Sequence, residues 1–382
     1  MPRVLYFITE DWFFVSHFRP MARAARDAGL DVTVATRVRD QGSRIISEGY
    51  RLIPLEIDRS GNAVVAPLRS VVQAYRIVRQ ERPDVVHCIA LPAAVLGGLA
   101  ARLAGAKSII LAPTGLGYAW SVDSFGARCV RGVARLVLGN WLRSPRTQYL
   151  FENSEDPGEF GLQVADPTVT IVHGAGVDPT DFPLTPEPPS PPVKVAVVSR
   201  MLRSKGIAEA VAAIALARER GAAVELDIFG APDPSNPLSI PVAELERWGS
   251  KPGISWRGPT TQVAEVWREH HVALFLTSYR EGIPRTLIEA AASGRPIITS
   301  DAVGCREVVR DGQEGLLVPV GDVAAAAQAI VTLAHDPDLR RRLGEGANRR
   351  FHERFTECGV RQTMTNLYAK LTAEADDGGT TG

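Results

Sequence analysis

The sequence predicts two α/β domains in tandem, each built on a doubly wound parallel sheet, and three observations support this. The chain has 382 residues, too many for one ordinary core. Short β-branched runs alternate with helical patterns, which calls for parallel strands joined by crossover helices. The alternation breaks off once, at a proline-rich run, and then starts again.

Before that break, strands are predicted at residues 4–9, 31–36, 51–56, 85–88, 108–113, 147–152 and 169–174. Helical patterns lie between most of them, for example over 18–28 and 92–104. From Phe182 to Val193 there are six prolines in twelve residues. Such a run continues neither regular structure and favours an extended, semi-rigid spacer. After it, strands are predicted at 194–200, 224–230, 254–258, 272–278, 296–300 and 315–319, with helices at 205–220, 261–269, 284–293 and 322–335. Residues 338–373 read as mostly helical, with a break near Phe355. The expected organisation is a first domain over 1–182, a linker over 183–193 and a second domain over 194–355. A helix over 356–373 and an acidic, Gly/Thr-rich disordered tail over 374–382 follow.

Composition is that of a globular protein, with 45% hydrophobic and 23% charged residues. No apolar run approaches the ~20 residues that span a bilayer. The first residues lack the basic start and the length of a signal peptide. Cys88, Cys129, Cys305 and Cys358 are scattered and show no metal or disulfide spacing. A reduced cytoplasmic setting is the expectation. Net charge is zero but uneven. Residues 1–151 hold 20 Lys/Arg against 11 Asp/Glu, whereas residues 152–382 hold 23 against 32. Either the first half meets an anionic partner or two domains attract each other.

The segment richest in chemistry is Arg280-Glu-Gly-Ile-Pro-Arg-Thr-Leu-Ile-Glu289. Glu281 and Glu289 bracket a predicted helix start, and Pro284 suits the first helical position. A strand that runs into Gly282-Ile283-Pro284 and a helix presents amides and a positive dipole end, a cradle for phosphate. Two flanking carboxylates can accept hydrogen bonds from hydroxyls. The combination suits a nucleotide-sugar. Arg200, at the end of the strand predicted over 194–200, and Lys205, at the start of the next helix, would project from the carboxyl end of the sheet. Cations there suit a departing diphosphate. Each residue also has a plainer reading: Lys205 a solvated helix residue, Glu281 a dipole complement, Glu289 a solvent-facing Glu.

The acid pair around Gly-Ile-Pro resembles the signature of the large retaining glycosyltransferase family with a Glu-x7-Glu motif. Ser199-Arg200, Lys205-Gly206, Ile228-Phe-Gly230, Gly304-Cys-Arg-Glu-Val-Val-Arg-Asp-Gly312 and Gly315-Leu-Leu-Val-Pro319 follow in the order that family shows. Within it, Thr9-Glu-Asp-Trp-Phe-Phe-Val-Ser-His17 and Thr114-Gly-Leu-Gly117 are most similar to bacterial enzymes that extend undecaprenyl-diphosphate-linked glycans. The resemblance implies a GT-B fold and a nucleotide-diphosphate sugar donor, a UDP-sugar first among the choices. It also implies no metal, and retention at the anomeric carbon. Glu281 would meet donor-sugar hydroxyls, Glu289 the ribose, and the amides from Gly282 through Ile283, Pro284 and Arg285 to Thr286 the sugar and diphosphate. Arg200 and Lys205 would stabilise the leaving diphosphate, and Gly230, Arg257 and Gly258 would lie near the base. The helix over 356–373 would return to the first domain.

The sequence departs from the family in two places. A glycine-rich loop is usual after the first strand; here Asp11-Trp-Phe-Phe14 stands there. A His is usual after the strand at 108–113; here Pro113-Thr114-Gly115 stands there. Ser16, His17, Thr114 or Gly115 could take the acceptor-side role, and His17 could equally be a packed helix residue.

Residues 125–149 carry Arg128, Arg131, Arg135, Arg143 and Arg146, apolar residues and Trp141, and no acid. A basic amphipathic helix of this kind suits peripheral contact with an anionic membrane at the cytoplasmic face. An ordinary sheet-covering helix would look the same.

The sequence thus points to transfer of a hexose or N-acetylhexosamine to a lipid-linked saccharide or polysaccharide precursor. A soluble acceptor, a nucleotide-sugar epimerase and a non-catalytic nucleotide-sugar binder are the alternatives. No Gly-x-Gly-x-x-Gly follows a predicted strand, which argues against a dinucleotide dehydrogenase, and no nucleic-acid module is recognisable.

Overall fold

A computed structural model of the chain describes residues 1–56, 65–234 and 236–377. The chain divides into two compact units. Unit 1 is Met1–Gly176 together with the C-terminal segment from Glu357, and unit 2 is Val177–Thr356.

Unit 1 holds strands β1 (Arg3–Ile8), β2 (Asp31–Thr36), β3 (Arg51–Pro54), β4 (Val85–Ile89), β5 (Ser108–Ala112), β6 (Thr147–Phe151) and β7 (Val169–Ile171). They form one sheet in the order β3-β2-β1-β4-β5-β6-β7, all neighbours parallel. The helices that matter below are α1 (Arg19–Asp27), α2 (Val65–Glu81), α3 (Leu91–Leu103) and α4 (Phe125–Leu136). Both faces of the sheet are covered, so its inner strands are buried and largely apolar. Along β1, Val4, Tyr6 and Ile8 join one core while Leu5 and Phe7 join the other, as the two-residue period of a strand requires.

Unit 2 repeats the plan with β8 (Val193–Val198), β9 (Val224–Phe229), β10 (Ile254–Gly258), β11 (Val272–Phe275), β12 (Ile297–Ser300) and β13 (Gly315–Val318). Their order is β10-β9-β8-β11-β12-β13, again parallel. Its helices include α5 (Ile207–Glu219), α6 (Val263–Glu269), α7 (Arg285–Ala292), α8 (Val303–Val308), α9 (Val323–His335) and α10 (Pro337–Arg354). Helix α11 (Glu357–Asp377) follows.

Two expectations about organisation need correction. The proline run is not a free spacer between domains, because it lies on unit 2. The deeply buried Arg295 donates from Nη2 to the carbonyls of Thr185 at 2.9 Å and Pro186 at 3.1 Å. Arg340, equally buried, pairs with Glu187 at 3.2 Å, and His271 Nε2 lies 3.0 Å from Pro188 O. Prolines bring no N–H of their own, so the carbonyls of this segment are matched by buried side chains from the unit. The chain therefore divides before Val177 rather than at residue 183. Likewise α11 continues through Asp377, past the start of the tail predicted as disordered; residues 378–382 lie outside the described residues.

Helix α11 packs on unit 1. Val360, Met364, Leu367, Tyr368 and Leu371 lie in the same core as β1 and α1, at helical spacing. Gly176 (φ +69°) stands where a Cβ would come within 3.0 Å of Glu357 Cα, so the two segments meet closely there. The polar centre of the contact is fully buried. Tyr6 Oη and Tyr368 Oη are 2.5 Å apart, and His87 Nδ1 is 3.0 Å from Tyr368 Oη. Burial pushes His87 down to about 3, so its ring is neutral. Tyr368→Phe removes the hydroxyl that both neighbours share and leaves them unpaired in the core, a loss of about 1–3 kcal/mol. Thermal unfolding of the variant should show a clearly lower midpoint; an unchanged midpoint contradicts the role given to this cluster.

Candidate active site

The sheet of unit 2 reverses its strand order between β8 and β11. In doubly wound sheets, ligand crevices open beyond the carboxyl ends of the strands that flank such a reversal. Lys205 arrives on the loop after β8, and Glu281 on the loop after β11. Lys205 Nζ and Glu281 Oε1 lie 2.7 Å apart, and each side chain is less than a fifth exposed (14% and 17%). Thr277 Oγ1 is 2.9 Å from the same Glu281 oxygen. Lys205 Nζ also lies 5.4 Å from the centre of the Phe275 ring, within cation–π range.

The backbone makes this meeting possible. Arg203–Lys205 form one 3₁₀ turn that ends at Gly206 in the left-handed conformation. A Cβ on Gly206 would sit 1.9 Å from Leu276 O, so only glycine fits this crossing of the two loops. The Ser204 carbonyl accepts from Ser278 N at 3.0 Å and lies 3.1 Å from Thr277 Oγ1. A second close approach fixes the other side, where a Cβ on Gly304 would lie 1.7 Å from Gly282 O. Helix α8 thus begins directly against the Glu281-Gly282 turn, while the Ile283 side chain is buried in the core.

Pro284 is the cap of α7 rather than its first residue; its backbone is extended (φ −66°, ψ 116°), and the helix begins at Arg285. Thr286 Oγ1, in the first turn, is buried and has no partner. Glu289 is not the solvent-facing residue of its plainer reading. It is 7% exposed, and Arg285 Nε donates to its Oε1 at 2.7 Å. Burial raises its carboxyl above the usual range, and Arg285 offsets that only in part.

Around the ends of β9 and β10 the structure gathers Gly230, Arg257 and Gly258. Gly230 N donates to Gly258 O at 2.8 Å, and a Cβ on Gly230 (φ +147°) would lie 1.8 Å from Ser199 O. Arg257 Nε donates to Asp227 Oδ1 at 2.8 Å, and His270 Nε2 lies 3.1 Å from Asp227 Oδ2. Burial would raise the Asp227 carboxyl, but the hydrogen bonds from His270 and Arg257 outweigh it and hold it low. Arg200 is half exposed and stands 3.8 Å from Asp233 rather than in the Lys205–Glu281 pair. Sequence reasoning passed over Thr277, Asp227 and His270. For Thr277 a signal existed: a hydroxyl at the end of an apolar strand, four residues before Glu281.

In unit 1 the loop after β1 is closed to an anion. The carboxylate of Asp11, fully buried, accepts from Trp12 N at 2.7 Å, Arg39 N at 2.7 Å and Gln41 N at 2.9 Å. Glu10 lies beside it, 3.1 Å from Arg39 Nε. Of the amides after β1, Trp12 N is thus taken by the buried acid, Asp11 N by Arg37 O, and those of Phe13 and Phe14 by Glu10 O. Ser16 and His17 follow in one turn of π-helix (Phe14–Phe18). Ser16 Oγ donates to Trp12 O at 2.7 Å and is 2.6 Å from His17 Nδ1, and the His17 ring packs 4.8 Å from Phe13. Thr114 and Gly115 (φ +69°) lie after β5, and Thr114 Oγ1 is buried without a partner.

Residues 192–336 match the family described as glycosyl transferases group 1, and residues 3–126 match the family described as glycosyl transferase 4-like. Together the two matches span well over half of the chain. The chain is a group 1 glycosyltransferase. It is 26% identical to EpsD of Bacillus subtilis, named as a glycosyltransferase, over 96% of each chain. It is 23% identical to the N,N'-diacetylbacillosaminyl-diphospho-undecaprenol alpha-1,3-N-acetylgalactosaminyltransferase of Campylobacter jejuni, over 94% of this chain and 96% of the other. Among solved structures, HepE of Anabaena in complex with UDP-glucose superposes with a TM-score of 0.74 at 15% identity, covering 97% of this chain and all of that one. The fold is GT-B.

In this transferase the arginine-rich segment differs from the all-basic face read from sequence. Acids from outside the segment pair with its cations. Asp123 takes Arg128 at 3.3 Å and Arg131 at 3.2 Å, Glu159 takes Arg135 at 2.6 Å, and Asp166 takes Arg143 at 3.2 Å. Beside these paired arginines, α4 and the turn after it present apolar side chains to solvent: Phe125, Val133 and Trp141 are each more than half exposed.

Proposed function

We propose that this glycosyltransferase moves a hexose or N-acetylhexosamine from a UDP-sugar to a lipid-linked saccharide or polysaccharide precursor, with retention and without a metal. The observation that carries the reading is the Lys205–Glu281 pair across the strand-order reversal of unit 2, held by Thr277. Lys205 has the charge opposite to the phosphate it would meet, and Glu281 is an acceptor for the hydroxyl it would meet. Lys205 would exchange Glu281 for a donor phosphate, which frees Glu281 to accept from a sugar hydroxyl. Glu289 would accept from the ribose, and Thr286 Oγ1 is placed to find a partner on the donor.

As the bond from the anomeric carbon to the diphosphate oxygen breaks, negative charge grows on the diphosphate. Lys205 and Arg200 would stabilise it. The acceptor hydroxyl would attack from the same face, forming the new C–O bond and passing its proton to the departing phosphate. The Campylobacter relative's name supports a diphospho-undecaprenol acceptor, and the Anabaena complex supports UDP as the nucleotide. Among the described residues no cluster of metal-binding side chains occurs.

No helix of the described residues is long and apolar enough to cross a membrane. We place the protein at the cytoplasmic face, docked transiently through Phe125, Val133 and Trp141. Because the arginines there are paired, contact would depend on apolar burial more than on charge. Co-sedimentation with liposomes should be lost in a Phe125→Ser, Trp141→Ser variant, and absence of binding by the native chain to both neutral and anionic liposomes contradicts the docking. For the chemistry, Glu281→Ala should cut turnover about 10²-fold or more while the fold, followed by circular dichroism, is kept. Near-native transfer would contradict the assignment.

A further inference from the structure

Glu289 stands among residues unlike it. Its neighbours on α7, Leu287, Ile288, Ala290 and Ala291, are apolar and buried, and Glu289 is buried with them. The backbone beneath it is fixed by α10. A Cβ on Gly344 would lie 2.2 Å from Gly294 O, so α10 crosses directly on the turn that ends α7, and Asn348 Nδ2 donates to Ala292 O at 2.7 Å. A carboxylate in such a place needs a partner, since a lone desolvated charge is strongly disfavoured. Among the described residues that partner is Arg285, one turn earlier, whose Nε donates to Glu289 Oε1 at 2.7 Å. The Arg285 side chain is 24% exposed and that of Glu289 9%. The pair does not serve the helix. Arg285 is the first residue of α7, where the positive end of the dipole disfavours a cation. Pairs spaced i,i+4 support a helix better when the acid comes first, and here the base does. What the arrangement does supply is orientation, because a planar guanidinium pins the carboxylate oxygen it bonds.

We infer that the Arg285 side chain is a positioning residue, which aims the Glu289 carboxylate at the ribose of the donor and so makes the site select a nucleotide that carries the ribose hydroxyls. The inference rests on the reading of Glu289 as the ribose partner, and it adds what holds that partner and which ligands the site rejects. An ionised carboxylate only accepts hydrogen bonds, so a hydroxyl suits it and a bare ring carbon does not. A deoxynucleotide would leave a buried, oriented acceptor without its donor, the kind of mismatch that a built polar site rejects most strongly. Arg285 also opposes the burial that raises the Glu289 carboxyl, which keeps the group an acceptor. Its effect on the ligand passes through Glu289, and this separates it from a cation that meets the diphosphate directly.

The test is isothermal titration calorimetry of the full chain with UDP and with dideoxy-UDP, which keeps base and diphosphate and lacks both ribose hydroxyls. The native chain should prefer UDP by about tenfold or more, the size of one hydrogen bond to a charged group. Arg285→Met should weaken UDP by a similar factor and leave dideoxy-UDP nearly unchanged, so that the preference collapses. Arg285→Lys keeps a cation in place and should restore part of the preference. An equal loss for both ligands in Arg285→Met would show that Arg285 meets the diphosphate itself or merely supports the fold, and it overturns the inference. An undiminished preference in Arg285→Met overturns it as well. A native chain that binds UDP and dideoxy-UDP alike overturns it and leaves the donor site standing. A native chain that binds neither nucleotide overturns the donor reading, and the inference falls with it.

Discussion

The ion pair between Lys205 and Glu281 is the constraint on which the rest of unit 2 depends. Two loops from strands on either side of a reversal must bring opposite charges within 2.7 Å in a mostly buried place. A lone charge there would be costly, because desolvation is not repaid without a partner. The loops can approach only because Gly206 has no Cβ to strike Leu276 O and Gly304 none to strike Gly282 O. Thr277 and Phe275, at the end of β11, then hold the pair from below. A site so arranged is stable while empty and still offers a cation to a phosphate and a carboxylate acceptor to a hydroxyl, the two groups that a diphosphate sugar brings together.

Unit 1 follows the same topology with different chemistry. At its reversal the amides after β1 are taken within the unit, by Asp11 and by backbone carbonyls, and a neighbouring cavity is apolar. Both α2 and α4 expose apolar side chains, Leu68 and Val72 on the one and Phe125 and Val133 on the other, among exposed arginines. The contrast suits a division of labour: a polar unit for a nucleotide-sugar and a greasy one for an acceptor that carries a lipid. The surplus of cations in the first 151 residues had suggested an anionic partner. Part of that surplus is matched by acids from beyond those residues: Glu159 on Arg135, Asp166 on Arg143 and Glu357 on Arg23.

Much of this was legible in the sequence because local pattern and global fold agree. The strands Asp31–Thr36 and Ile254–Gly258 lie where the β-branched runs put them, and the helix after Glu281 starts within a residue of its Pro signal. What escaped depends on long-range contact. Nothing in the proline run announces that Arg295 would claim its carbonyls and Arg340 the Glu187 carboxylate, each from more than a hundred residues away. The acids that pair with Arg128 to Arg143 lie just outside the segment inspected. Of the two readings of Glu289, as a ribose partner or as a solvent-facing helical residue, the packing of α7 removes the second by burying the side chain. Lys205 and Glu281 were each legible as site residues. That they hold each other is a fact of the fold, since the two lie 76 positions apart.

One measurement bears most directly on the donor site. Thermal unfolding of the native chain and of Lys205→Met is followed against rising UDP-glucose, since a ligand of the folded state raises its apparent stability. The native chain should gain stability with concentration, and the variant should lose most of that gain. An equal gain in both would show that the donor does not depend on Lys205 and would contradict the site described above.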